Sequence, residues 1–96
     1  MTDRTKTSLA QTWQDEDEYW RTHYSSRPYV EGDSYDMYRP GYRFGYDAAA
    51  RYDGRDWNDV ERDLEREWDR YEYKGASTWA QVKLAVRDAW ARMTGR

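Results

Sequence analysis

Five apolar positions spaced as one face of an α-helix occur twice in this chain, 22 residues apart, and they leave few folds open. In DWNDVERDLEREWDRYEY, the side chains Trp57, Val60, Leu64, Trp68 and Tyr71 fall at i, i+3, i+7, i+11 and i+14. That is a helical period and no strand period. In TWAQVKLAVRDAWARM the same spacing carries Trp79, Val82, Val86, Trp90 and Met93. Asp56 and Thr78 hold the matching N-cap position, and Thr78 with Gln81 fits a capping box. The spacing predicts helices near 57–73 and 78–93, with Gly75 as a stop between them.

Moved back by 22 and by 44 residues, the template falls on Ser34, Tyr35, Tyr38, Tyr42, Tyr46 and on Thr12, Trp13, Glu16, Trp20, Tyr24. Both copies carry a blemish. Glu16 is polar where the template is apolar, and Pro40 stands where an uninterrupted helix would lose a hydrogen bond. They are either worn repeats or chance matches in a chain rich in aromatics. The coarse expectation is a first helix over 8–24, an irregular stretch over 25–39 and a second helix over 40–52, with 1–7 as a flexible N-terminus. Residues 8–94 then form a single all-α domain, a small aromatic-cored bundle of about four helices that ends in an antiparallel helical hairpin.

An aromatic core is what the composition permits. Leu, Val and Phe total eight residues in 96 and Ile is absent, whereas Trp and Tyr total sixteen. Each ring buries about 150–250 Å², which replaces the missing aliphatic area. The expected core is Trp13, Trp20, Trp57, Val60, Leu64, Trp68, Trp79, Val82, Val86 and Trp90. Charge favours the last hairpin, because residues 55–73 carry four basic and eight acidic side chains and residues 74–96 carry five and one. Asp59, Asp63 and Glu67 share a face and suit pairing with Lys83, Arg87 or Arg92.

The chemistry-bearing residues point away from catalysis. There is no cysteine and one histidine, His23, so neither a thiolate nor a two-histidine metal site can form within one chain. GxSxG, HExxH and GxxxxGK[ST] are absent. The run Asp15, Glu16, Asp17, Glu18 lacks the alternation and the glycine of a calcium loop and reads as a solvated helix face. No cofactor or metal is expected, and the chain is expected not to be an enzyme. An apolar leader and a run long enough to span a bilayer are both missing, which gives the expectation of a cytoplasmic protein with no membrane partner.

YRPGYRFGYDAAARY, over 38–52, interleaves tyrosine, arginine and glycine. As a base-stacking surface it would use Arg39, Arg43 and Arg51 with Tyr42 and Tyr46. The net charge of −3 opposes that reading, and the strand pattern of an RNA-recognition sheet is not there. With Pro40 in the first turn of a helix, Gly41, Gly45 and Ala49 fall on one stripe where another helix can approach closely.

Three runs, YRPxYRxGY, GRxWxxVE and WxxVKxAVxxAW, taken in that order over 34–94, resemble a family of small, uncharacterised bacterial proteins associated with general stress-response genes. The resemblance implies a stress association and no activity or ligand. The resulting expectation is a non-catalytic interaction or structural protein that self-associates, because so many aromatics are hard to bury in one small monomer, with another protein as the other partner considered. Binding of nucleic acid through the second helix is the alternative, and it is not favoured.

Overall fold

A computed structural model describes residues 12–32, 34–52 and 54–95. The expected N-terminal segment 1–7 and the expected start of the first helix lie outside the described residues. Within them the regular structure is helical, with four α-helices: α1 (Trp13–His23), α2 (Tyr35–Arg51), α3 (Trp57–Trp68) and α4 (Trp79–Thr94). A 3-10 turn, Tyr24–Ser26, follows α1. No helix among the described residues is long and apolar enough to cross a membrane.

The helices begin in the register of the repeat. Their N-caps are Thr12, Ser34, Asp56 and Thr78, each 22 residues after the last. Thr12 Oγ1 accepts from the Asp15 backbone N–H at 3.2 Å, and Thr78 and Gln81 form the full capping box. Asp56 sits at its cap position without a side-chain capping bond.

Two boundaries differ from the sequence-based expectation. α2 starts at Tyr35, so Pro40 lies inside the helix and Arg39 is helical. A proline there costs about 3 kcal/mol. Starting the helix early buries the rings of Tyr35 and Tyr38, and at about 25 cal/mol per Å² two such rings outweigh that cost. α3 stops at Trp68, about a turn short of the expected 73. Arg70 N–H and Tyr71 N–H then donate to Glu67 and Trp68 carbonyls in tight i−3 turns, and the Trp68 indole donates to the Ser77 carbonyl at 3.1 Å. These bonds fold the 69–77 connection back over the helix end. Gly75, with φ of +60°, serves a turn within it, not the helix terminus.

Each half of the chain is an antiparallel hairpin. Trp13 meets Tyr46 and Trp20 stacks flat on Tyr42 at 4.3 Å in the first; Trp57 meets Trp90 and Trp68 meets Trp79 in the second. The hairpins join through α2 and α4, which run side by side in the same direction and make the most extensive helix contact in the chain. Gly41 lies against Val82, and Gly45 against the Val86 backbone and Ala89. Ala49 is buried in the same core. Lys83 meets Glu61 across the second hairpin. Glu61 was not among the acids expected to pair there, and two of those that were go elsewhere: Glu67 takes Arg51 and the Tyr52 hydroxyl and Asp63 takes its helix neighbour Arg66, while the expected base Arg92 reaches to α1.

The core forms on both sides of the α2–α4 contact. One side gathers Phe44, Trp57, Val60, Leu64, Trp68, Val82, Val86 and Trp90; the other gathers Trp20, Tyr35, Tyr38, Tyr42, Ala85 and Ala89. Trp13 and Trp79, expected to be buried, are half-buried and pack on the edges of these clusters. The acidic run is a solvated face at Asp15 and Glu18 and not at Glu16 and Asp17. Glu16 keeps its template position and is 1% exposed, with Oε1 accepting from Arg92 Nε at 2.8 Å. Its neighbour Asp17 accepts from the Tyr35 hydroxyl at 2.7 Å and from Arg39 through two oxygens.

Candidate functional site

Beside the early end of α3 lies a cleft with a mixed aromatic and cationic lining. α1 and α2 supply one side and the 69–77 connection supplies the other, enclosing about 520 Å³. Trp13 stands at the start of α1, held against Tyr46 at 5.7 Å. The guanidiniums of Arg39 and Arg43 lie over its indole at 5.8 and 5.2 Å. Facing them are Tyr71 and Tyr73, whose rings meet edge-on at 5.6 Å. Asp36 and Pro40 complete the α2 side. Asp36, Arg39, Pro40 and Arg43 belong to one cleft because i, i+3, i+4 and i+7 share a helix face.

The two cleft arginines are held differently. Arg39 is fixed by its two-oxygen pairing with Asp17 at 2.9 and 3.2 Å. Burial alone would raise the Asp17 carboxyl, but hydrogen bonds from Arg39 and Tyr35 and the nearby guanidinium charges outweigh it and hold the group below the usual carboxylate range. Arg43 Nε is 3.4 Å from Asp47 Oδ2, but it makes no hydrogen bond to any described residue although it is shielded from water. The Tyr71 hydroxyl is likewise shielded and without a described partner. Burial, reinforced by Asp47 and opposed by Arg43, pushes the Tyr71 phenol up to about 12. Two N–H and O–H donors therefore border the cleft with unused bonding capacity.

Of the residues expected to contact a partner, Arg39 and Arg43 reach the cleft and the others do not. Arg51 pairs with Glu67 at 2.9 Å at the far end of α2. Tyr42 is buried, and its hydroxyl bonds to that of Tyr29 at 2.7 Å. Tyr29 also donates to Asp88, which takes Arg27 as well, so this network ties residues 27–29 to α4. Tyr46 is half-buried and backs Trp13. The stripe Gly41, Gly45 and Ala49 is given over to the helix core.

Compared with family models, with curated protein sequences and with solved structures, the chain matches none. The arrangement of residues alone carries the functional reading.

His23 lies outside the cleft. It is exposed at the end of α1, stacked on Tyr19 at 4.2 Å, and its Nδ1 donates to the Tyr19 carbonyl at 2.7 Å. Sequence reasoning missed Tyr71 and Tyr73 as cleft residues, because Tyr71 continues the helical spacing of Trp57 to Trp68. The signal that could have separated them is the aromatic pair in YEYKG, just before the glycine that turns the chain.

Proposed function

We propose that this chain is a non-catalytic interaction protein that binds another polypeptide through the cleft between α1, α2 and the 69–77 connection. The observation that carries this reading is the pair of shielded donors that lack a hydrogen bond to any described residue, Arg43 Nε and the Tyr71 hydroxyl, beside an open aromatic-walled cleft. Leaving such donors unused costs about 1–3 kcal/mol each, which a bound acceptor recovers. The lining offers guanidinium, phenol and indole groups, which suit recognition better than proton transfer. The stress association implied by the resemblance belongs to the same proposal.

A different protein is preferred to a second copy. Among the described residues the exposed large apolar side chains are Tyr73 at 65% and Leu84 at 50%. The monomer thus absorbs most of the aromatics whose surplus would favour self-association. Nucleic acid is disfavoured because Arg39, Arg43 and Arg51 each face a carboxylate of this chain. Panning a displayed peptide library against the protein, with Arg43→Gln as counter-screen, tests the reading. Enriched peptides that lose binding to the variant are expected. A folded protein that enriches nothing above the counter-screen, or that binds oligonucleotides at low salt instead, overturns it.

A further inference from the structure

Arg43 and Asp36 stand two helical turns apart on one face of α2, and their charges are opposite. Seven residues of helix place them about 10 Å apart along the axis. Turning toward a ligand costs Arg43 no internal hydrogen bond, only its half-exposed ion pair with Asp47, worth about 0–1 kcal/mol, and its side chain is 41% exposed. Arg39 cannot do the same without breaking its two bonds to Asp17. The positive end of the cleft is therefore Arg43, supported by a phenol that burial keeps protonated. The Arg43 guanidinium and the Tyr71 hydroxyl both donate. Their complement is an anion with more than one acceptor oxygen.

The walls specify the rest of the ligand. Trp13 and Tyr71 present fixed rings, and Tyr73 is an aromatic side chain that the fold leaves largely in water. A flat apolar group placed among them is stabilised by ring contacts of about 0.5–1.5 kcal/mol each beyond area burial. At the opposite end Asp36 can accept from an N–H. A nucleic-acid strand carries negative charge along its whole length and would meet Asp36 at the end away from Arg43. A peptide carries its N–H groups and its terminal anion at separate points.

We propose that the cleft takes the carboxyl-terminal end of a polypeptide whose last residue is aromatic, with the terminal carboxylate on Arg43 and Tyr71, the ring between Trp13 and Tyr73, and a preceding backbone N–H directed to Asp36. This rests on the reading of the cleft as a binding surface. It adds the ligand class. Two or three extended residues span about 7–10 Å, which matches the separation of the charged ends.

The test is a titration of the isotope-labelled full chain with acetyl-Ala-Ala-Trp, its carboxamide and indole-3-acetate, followed by nuclear magnetic resonance at the Arg43 Nε–H and Trp13 indole N–H. The free acid is expected to shift both signals saturably and to bind about tenfold or more tightly than the carboxamide, the loss expected for a charge-assisted bond. Arg43→Gln should abolish that difference. Tyr73→Ala, at an exposed position, should weaken the acid severalfold while the rest of the spectrum keeps its dispersion. Equal binding of acid and carboxamide, or shifts centred away from the cleft, would overturn the ligand class. Indole-3-acetate binding as tightly as the tripeptide would overturn the polypeptide source in favour of a small aromatic acid. Library peptides that bind the cleft without a free terminus would leave the interaction role standing and remove this inference alone.

Discussion

Replacing Gly45 by alanine should destabilise the fold, although alanine is the better helix former. In an isolated helix the change is worth about 1 kcal/mol in favour of alanine, and it also restricts the unfolded chain. Gly45 has no positive φ that alanine could not adopt. The obstacle is α4. A Cβ at position 45 would fall well inside van der Waals contact with the Val86 carbonyl oxygen and 3.0 Å from Ala89 Cβ. The first of these atoms is backbone, so relief requires the two central helices to separate by roughly 1 Å. Such a gap forfeits about a quarter to a half of each dispersion contact, and overpacking of this kind costs about 1–3 kcal/mol or more. The α2–α4 contact is the junction between the two hairpins, so the loss extends along its length.

The net expectation is a loss of about 1–3 kcal/mol, near 4–8 °C of Tm for each kcal/mol in a domain of this size. Gly41→Ala should lose less, because its nearest neighbour, Val82 Cβ at 2.8 Å, is farther off than the backbone atom that Gly45 meets, so a smaller helix shift relieves it and Val82 Cγ1 at 3.3 Å can rotate away. Urea unfolding followed by tryptophan fluorescence measures both variants, with Ala50→Gly on the exposed face of α2 as the propensity control. Gly45→Ala as stable as the parent, or more stable, would refute the close helix crossing.

Three further outcomes follow from the buried polar groups. Arg92→Met alone should cost about 3 kcal/mol by leaving Glu16 buried and unpaired, whereas Glu16→Leu with Arg92→Met should be neutral or stabilising in the same urea assay. Burial pushes the Tyr42 and Tyr71 phenols up to about 12, and it raises Tyr29 and Tyr35 further. Their contribution is complete below the unfolded phenol value of about 10 and is lost as pH rises through the folded values, so the urea midpoint should fall above about pH 10 and phenolate absorbance should lag until unfolding. At the acid end, the depressed Asp17 and Glu67 carboxyls stabilise the fold above their unfolded values near 4, and that contribution disappears as pH falls through the folded values; Asp17→Asn should flatten this acid limb.

The helices were legible because their signals are local. Spacing and caps set the starts of α3 and α4, and the same period marks Thr12 and Ser34 as the caps of α1 and α2. Pro40 argued against the second of these, and local chemistry lost to the burial of Tyr35 and Tyr38. Helix partnership was less legible. Charge suggested that α4 belongs chiefly to α3, but small residues decided otherwise: Gly41 and Gly45 meet Val82, Val86 and Ala89 more closely than any rim pair could enforce. Glu16 was unreadable from its own segment, since its partner Arg92 lies 76 residues away.

The cleft arises where the repeat is interrupted. In the register of α4, the residues after Trp68 would continue as helix and hold Tyr71 on the core stripe, as Met93 is held after Trp90. Instead the chain turns at Asp69, and Trp68 anchors the returning strand of connection through its indole bond to Ser77. Tyr71 still reaches the core, touching Phe44 at 4.9 Å, but arrives from the side with its hydroxyl unpaired, and Tyr73 is carried outward into water. A continuous helix would have saved the backbone bonds of that turn and closed the cleft. The second copy of the template bears the complementary change, placing Arg39 and Arg43 on the face of α2 that borders the displaced segment. Shortening the 69–77 connection should therefore cost stability, through the Trp68–Ser77 bond and the Tyr71–Phe44 contact, as well as the proposed binding at Arg43. A change confined to the exposed Tyr73 should weaken binding alone, and so separates the stability of the repeat from the use proposed for its irregularity.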